Sequence, residues 1–293
     1  MSDKLRNLIV RTVSGAVLLA VVFAAAWYGM ITYKVLLLGI ALVGVEEFYR
    51  LAARRGAEPQ TIMGLIATIA FLNSGFLLYN IIYDSGCCAT TCVWNFIAPL
   101  LLVFVIFGVF VIEVFRNRPT PIFNIAATLM GVIYVALPMT IMLFIPAMLK
   151  GDGATWSPWY FLWYLFLVWG NDVFAYLTGV CFGKHKMCPR LSPKKSWEGF
   201  AGGVAGSLSM GALAAYFLDG NYVMWVGLAL VVSLSSVVGD LAESMFKREA
   251  EVKDSGNIMP GHGGMLDRFD ALLISAPFAL VYIAIFKAVC TIA

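Results

Sequence analysis

The sequence predicts an all-α, polytopic membrane protein, and three observations carry that expectation. Apolar residues fill 61% of the 293 positions and charged residues only 13%, and the mean hydropathy of +0.87 lies outside the range of a soluble globular domain. The apolar residues fall in long runs, and about 20 in succession suffice to cross a bilayer core about 30 Å thick. The runs do not alternate: Phe278 to Phe286 is apolar at every position, whereas a transmembrane barrel strand needs period-two patterning. Only helices and closed barrels satisfy the backbone in lipid, so helices remain.

Nine spans are expected, at 12–31, 35–52, 62–83, 96–115, 122–149, 159–182, 200–218, 222–242 and 271–291. In the first, Ala24-Ala25-Ala26 offers the small residues of a signal-peptide cleavage site. The apolar run continues to Ile31, longer than a signal core of about 7–15 residues, so an uncleaved anchor is expected. The second span ends in Glu46, Glu47 and Arg50; Glu46 stands four residues before Arg50, the spacing of an interfacial ion pair, and neither acid is expected in a site. The third span carries no charge, and the fourth ends at Glu113, an expected partner of Arg116. The fifth is too long for one untilted crossing, and Pro138 and Pro146 predict a kink or an interfacial end. The sixth opens in an aromatic belt from Trp156 to Trp169. It then holds Asp172 beside Asn171; an ionisable residue inside a span points to function, although a helix–helix contact or a loop lysine such as Lys194 would also account for it. The seventh span follows the first of two large polar loops, and the last two flank the second.

Sidedness follows from charge. With the N-terminus in the cytoplasm, 17 of the 20 Lys and Arg residues fall on the cytoplasmic side, leaving Lys34, Lys150 and Lys287 outside. The positive-inside rule then supports nine spans with the C-terminus outside. Both large loops, 183–199 and 243–270, become cytoplasmic. The expected organisation is a scaffold of about five spans over 1–150 and a catalytic region over 151–293. Cys87, Cys88 and Cys92 fall in an expected external loop, odd in number and with no histidine near, so no zinc site is expected.

The loop after the eighth span concentrates the chemistry. Asp240, Glu243, Ser244 and Lys247 share one helical face by their spacing. A breaker-rich stretch follows, Ser255-Gly256-Asn257 through Pro260-Gly261-His262-Gly263-Gly264, whose glycines let main-chain N–H groups approach a phosphate closely. Leu266 restarts a helix with Asp267 and Asp270 one turn apart. Folding back would bring Asp240 and Asp267 together, two carboxylates of the kind Mg²⁺ uses alongside water and substrate phosphate. A basic cytoplasmic loop, a glycine turn or an acidic helix start is commonplace taken singly. Their combination in one short segment favours a site.

Ser244, Lys247, Arg248, Lys253, Asp254, Pro260, Gly261, His262, Gly263, Gly264, Asp267, Arg268 and Asp270 form an ungapped pattern that resembles the C-terminal signature of phosphatidate cytidylyltransferases, the CDP-diacylglycerol synthases. A second region is similar to that family: Asn171-Asp172, Ala175-Tyr176, Gly183-Lys184 and Ser192-Pro193-Lys194-Lys195-Ser196-Trp197-Glu198-Gly199. The motifs cover roughly 170–270 and leave the first five spans without one.

The resemblance implies transfer of CMP from CTP to phosphatidate, releasing pyrophosphate, in a Mg²⁺-dependent step of phospholipid synthesis at the cytoplasmic membrane face, and a bacterial inner membrane as its place. It assigns Asp240 and Asp267 as Mg²⁺ ligands and brings K⁺ to the same centre. Lys247, Arg248, Lys253 and Arg268 become phosphate ligands, and His262 contacts phosphate or orients a neighbour. Lys194, Lys195 and Ser196 bind CTP or the lipid phosphate with Glu198 orienting them; Ser244, Gly263, Gly264 and Asp172 complete the substrate-binding set. No nucleic-acid partner is expected, and a homodimer is left open. A CTP-dependent polyprenol kinase would use the same anion-binding logic but would release CDP. An anion transporter would spread polar residues through several midplanes, and the motif of a CDP-alcohol phosphotransferase is absent from the sequence.

Overall fold

Each expected span is realised as helix. The computed structural model describes residues 3–83, 89–151, 156–261 and 263–292. Its long helices are α1 (Asp3–Tyr28), α2 (Met30–Ala53), α3 (Thr61–Tyr83), α4 (Ala89–Arg116), α8 (Pro158–Phe182), α9 (Trp197–Phe217), α10 (Tyr222–Glu249) and α11 (Leu266–Ile292). The expected fifth span is a broken helix: α5 (Pro121–Gly131), a π-helical stretch over Val132–Ala136, α6 (Leu137–Ile141), a turn, then α7 (Ile145–Lys150). Pro138 sits at the start of α6 and Pro146 near the start of α7, where a missing N–H costs least. Among the described residues, eight helical stretches are long and apolar enough to cross a membrane. The one expected span not among them is the second, α2, which carries Lys34 at one end and Glu46, Glu47 and Arg50 at the other.

The chain divides into two compact units. The first comprises Met1–Phe144, Asp152–Trp156 and Glu249–Arg268; the second comprises Ile145–Gly151, Ser157–Arg248 and Phe269–Ala293. The signature stretch is therefore shared out: it belongs to the second unit through Arg248, to the first from Glu249 to Arg268, and to the second again from Phe269.

In the first unit α2 is the organising helix. It buries Tyr33, Leu37, Ala41, Val45 and Phe48, a stripe recurring every three or four residues as a helix facing a core requires. The Tyr33 hydroxyl donates to the Met142 carbonyl at 2.8 Å, and that of Tyr49 to the Thr128 carbonyl at 2.7 Å. Glu113, 5% exposed, pairs with Arg116 as expected, at 2.8 Å, and also accepts from Gln60 and Asn124. Three donors on three sequence segments thus satisfy one buried carboxylate, the condition for keeping a charge in a core.

In the second unit α8 and α9 form a tight antiparallel pair. A Cβ at Gly199 would stand 2.8 Å from the Ala175 carbonyl oxygen, and one at Gly203 would stand 2.9 Å from that of Asn171. Small residues thus let two backbones approach, as membrane helices do in the absence of a hydrophobic drive. Between these helices the loop expected at 183–199 forms a short antiparallel hairpin, β1 (Lys186–Cys188) with β2 (Ser192–Ser196), Lys186 opposite Ser196 and Cys188 opposite Ser192. The expected cysteine loop falls largely outside the described residues, Cys87 and Cys88 wholly and Cys92 in its side chain.

Candidate active site

The second unit holds an acidic cluster built from two helices. On α10, Asp240, Glu243, Ser244 and Lys247 follow one another at helical spacing. Gly239 lets α11 come close: a Cβ there would lie 2.5 Å from the Asp270 carbonyl oxygen and 3.2 Å from the Ala271 Cα. Carboxylate oxygens of Asp240, Glu243 and Asp270 consequently lie within 4.8 Å of one another. Two cations answer them. Lys195 Nζ stands 2.5 Å from Asp240 Oδ2, and Lys247 pairs with Glu243, whose side chain is 1% exposed. Hard oxygen donors converging at this spacing fit Mg²⁺, which takes few protein carboxylates and keeps positions for water and phosphate.

The hairpin and the α8–α9 pair make the wall beside this cluster. Ser196 caps α9, its hydroxyl accepting from the Gly199 N–H at 3.1 Å. Glu198 turns the other way and receives the backbone N–H groups of Lys184 and His185 at 3.1–3.2 Å, and its Oε1 lies 2.6 Å from His185 Nδ1. Glu198, expected to orient Lys194, Lys195 and Ser196, thus holds the chain entering the hairpin at Lys184 and His185. Arg248 Nε reaches the Leu191 carbonyl at 3.4 Å. A cavity of about 460 Å³ opens here, its polar lining including Asp172, Lys194, Lys195 and Asp240, its apolar lining including Val180 and Phe200. Asp172 accepts from Asn171 at 3.4 Å, and buried Asn171 accepts from Ser233 at 2.8 Å. Both earlier accounts of Asp172 therefore have a counterpart: its neighbour makes a helix contact, while Asp172 itself lines the cavity.

The glycine-rich loop belongs to the first unit. Asp267, in the first turn of α11, accepts at Oδ2 from the Gly264 N–H (2.8 Å), the Ser255 N–H (2.9 Å) and the Ser255 hydroxyl (3.1 Å). Gly263 has φ +84° and bridges to Met259, a backbone state that strains any residue with a Cβ. Lys253 on this loop and Arg268 in the first turn of α11 are exposed, and His262 lies outside the described residues.

The sequence-based site residues thus sort into two sets. Asp172, Lys194, Lys195, Ser196, Glu198, Asp240, Ser244, Lys247 and Arg248 belong to the second unit; Lys253, Gly263, Gly264, Asp267 and Arg268 belong to the first. Within the second unit the carboxylates gathered around Asp240 are Glu243 and Asp270; within the first, Asp267 accepts from its own loop. Glu243 was legible from its i, i+3 spacing to Asp240 and Asp270 from the signature, yet neither figures among the expected ligands. Glu47, set aside with Glu46, is the other omission. Glu46 pairs with Arg50 at 2.6 Å as expected, whereas Glu47 is 3% exposed and accepts from the Met265 and Leu266 N–H groups at the start of α11.

Comparison with known proteins completes the picture. The profile of the Cytidylyltransferase family matches residues 9–286. Proteins named phosphatidate cytidylyltransferase are similar to this chain. That of Staphylococcus aureus (strain COL) is 48% identical over 120 residues, 40% of this chain and 46% of that protein. That of Haemophilus influenzae is 45% identical over 126 residues, 41% and 44% of the two chains. That of Staphylococcus saprophyticus is 46% identical over 120 residues, 40% and 46%. The chain spans about half the length of the curated relatives it matches. With the family profile running through nearly all of its helices, the chain belongs to the Cytidylyltransferase family.

Proposed function

We propose that this protein transfers CMP from CTP to phosphatidate, giving CDP-diacylglycerol and pyrophosphate, at the cytoplasmic face of a bacterial inner membrane. The observation that carries the proposal is the cavity in which Lys194, Lys195, Asp172 and Asp240 meet an apolar lining beside three clustered carboxylates. A phosphate on a lipid tail needs that mixture of cation and apolar wall. The names of the relatives point to the same chemistry.

In the proposed reaction a phosphate oxygen of phosphatidate attacks the α-phosphorus of CTP. One P–O bond forms to that phosphorus, the bond to the β-phosphate bridge oxygen breaks, and its electron pair leaves with pyrophosphate. The attacking oxygen is already anionic near neutral pH, so no residue has to abstract a proton. The barrier lies in bringing polyanions together and stabilising charge at the transferred and departing groups. Asp240, Glu243 and Asp270 would hold Mg²⁺, and the resemblance adds Asp267 as a ligand and K⁺ as a companion ion. When bound, Mg²⁺ supplies Lewis-acid charge neutralisation on phosphoryl oxygens. Lys194 and Lys195 clamp a substrate phosphate, and Ser196, by fixing the start of α9, holds Lys195 in place. Lys247 and Arg248, with Ser244 beside them on α10, Lys253 on the loop and Arg268 at the start of α11 are further phosphate ligands, Arg being suited to two-point contact.

The test is an assay of purified protein with phosphatidate, CTP labelled in its α-phosphate and Mg²⁺. Label is expected in a lipid with pyrophosphate released, and Asp240→Asn is expected to abolish the transfer. Release of CDP with no lipid-linked CMP would replace this proposal with a lipid kinase.

A further inference from the structure

We propose that Glu47, on α2, is a positioning residue that sets the geometry of the glycine-rich loop for the polyphosphate of CTP. This rests on the function proposed above. Glu47 comes from a helix without a signature motif, yet its buried carboxylate is enclosed by the loop. Oε1 accepts from the Met265 N–H at 3.0 Å and Oε2 from the Leu266 N–H at 2.9 Å, while the Ser255 hydroxyl lies 3.1 Å from Oε2. One carboxylate therefore satisfies two of the orphan donors at the start of α11 and ties them to Ser255, at the far end of the loop.

The loop's own composition fits this purpose. A Cβ at Gly256 would overlap Glu47 Oε1, and one at Gly264 would lie 2.5–2.6 Å from the two Glu47 carboxylate oxygens. Both glycines leave room for the carboxylate. Ser255 carries the link onward, since its hydroxyl is within reach of both Glu47 Oε2 and Asp267 Oδ2 at 3.1 Å. A hydroxyl has one proton, so it donates to one carboxylate at a time. A change at Glu47 is thus felt at Asp267 through a single atom. At Pro260-Gly261 α1 adds two clamps: Arg11 Nε donates to the Gly261 carbonyl at 2.8 Å, and the Ser14 hydroxyl lies 3.1 Å from that of Pro260.

The loop is matched to CTP in preference to the lipid because it carries an exposed cation, Lys253, and leads into a second, Arg268, in the first turn of α11. Substitution at Glu47 is therefore expected to act on one substrate. With Glu47→Gln, an amide places an N–H against a backbone donor, and the KM for CTP is expected to rise about tenfold. Inhibition by added pyrophosphate weakens by a similar factor, and the KM for phosphatidate stays within about twofold. Glu46→Gln, on the exposed pair with Arg50, serves as the control with unchanged constants. Hydrogen exchange of the 255–266 segment in detergent is expected to accelerate in Glu47→Gln while the membrane helices keep their protection. A fall in kcat with both KM values unchanged would overturn the proposal, as would unchanged exchange of that segment. If the unaltered protein transfers no CMP, the functional proposal fails, and the exchange experiment still decides whether Glu47 holds the loop.

Discussion

Removing the Lys247 ammonium gives the sharpest test of the acidic cluster. Three carboxylates, those of Asp240, Glu243 and Asp270, lie within 4.8 Å of one another and face two lysines, Lys195 and Lys247. At 4.8 Å and an effective dielectric of about 20, each pair of like charges costs about 3.5 kcal/mol. In Lys247→Met one of the two cations is lost while packing volume is nearly kept. Its partner Glu243 has a side chain 1% exposed, and Lys247 itself is 12% exposed. Stranding one partner of a pair this buried costs about 3–5 kcal/mol, which lowers the unfolding temperature of a chain this long by about 6–10 °C. Glu243→Gln added to Lys247→Met removes the stranded charge and is expected to restore most of the loss. Mg²⁺ offers a second readout, because a ligand that binds only the folded state stabilises it by about 2.7 kcal/mol at a hundred times its Kd. Lys247→Met, with less competing positive charge, is expected to gain more from Mg²⁺ than the unaltered protein. The assay is thermal unfolding in detergent across a Mg²⁺ titration. Melting of Lys247→Met within about 2 °C of the unaltered protein, with no larger response to Mg²⁺, would refute the charge argument.

Three further outcomes are expected. Ser196→Ala removes the cap of α9 and should cost about 1 kcal/mol, seen as a melting shift of about 2 °C. Gly203→Val drives a side chain against Asn171, whose carboxamide and carbonyl oxygens stand 2.8 and 2.9 Å from the new Cβ; overpacking should cost about 1–3 kcal/mol and lower CMP transfer, measured on the same preparation. Chelation of divalent cations should stop CMP transfer and added Mg²⁺ should restore it, while Mg²⁺ should raise the melting temperature of the unaltered protein and leave that of Asp240→Asn unchanged.

The helices were legible because lipid leaves the backbone few alternatives, and a run such as Phe278 to Phe286 has nothing else to become. The restart at Leu266 was legible for a similar reason, since glycines precede it and apolar periodicity resumes after it. The β-hairpin was not, because Lys186–Cys188 is too short to show alternation and β2 contains Pro193. The cluster partners of Asp240 were half legible. Spacing placed Glu243 on its face, but the approach of Asp270 depends on Gly239 admitting the α11 backbone, a fact of packing that no pattern of charges expresses.

The burial of Glu47 follows from the helical periodicity of α2. The buried positions Ile40, Gly44, Phe48 and Leu51 define one face of α2, and Glu47, three residues after Gly44 and four before Leu51, lies on it. Glu46 lies off that face and pairs with Arg50 near solvent. Two adjacent glutamates thus differ by one helical step of 100°, and that step separates a surface ion pair from a carboxylate enclosed by a loop. The omission has a physical cause. Motifs record side chains, whereas Glu47 and Arg11 grip the loop through main-chain N–H and C=O groups, which every residue but proline supplies alike. The loop's side chains therefore say little about what holds it. What betrays the holder is the cost of burying a charge: an acid on the core face of a helix needs donors, and a glycine-rich turn opening a helix has N–H groups to give. The N-terminal spans, which carry no motif of their own, thereby contribute directly to the shape of the segment that does.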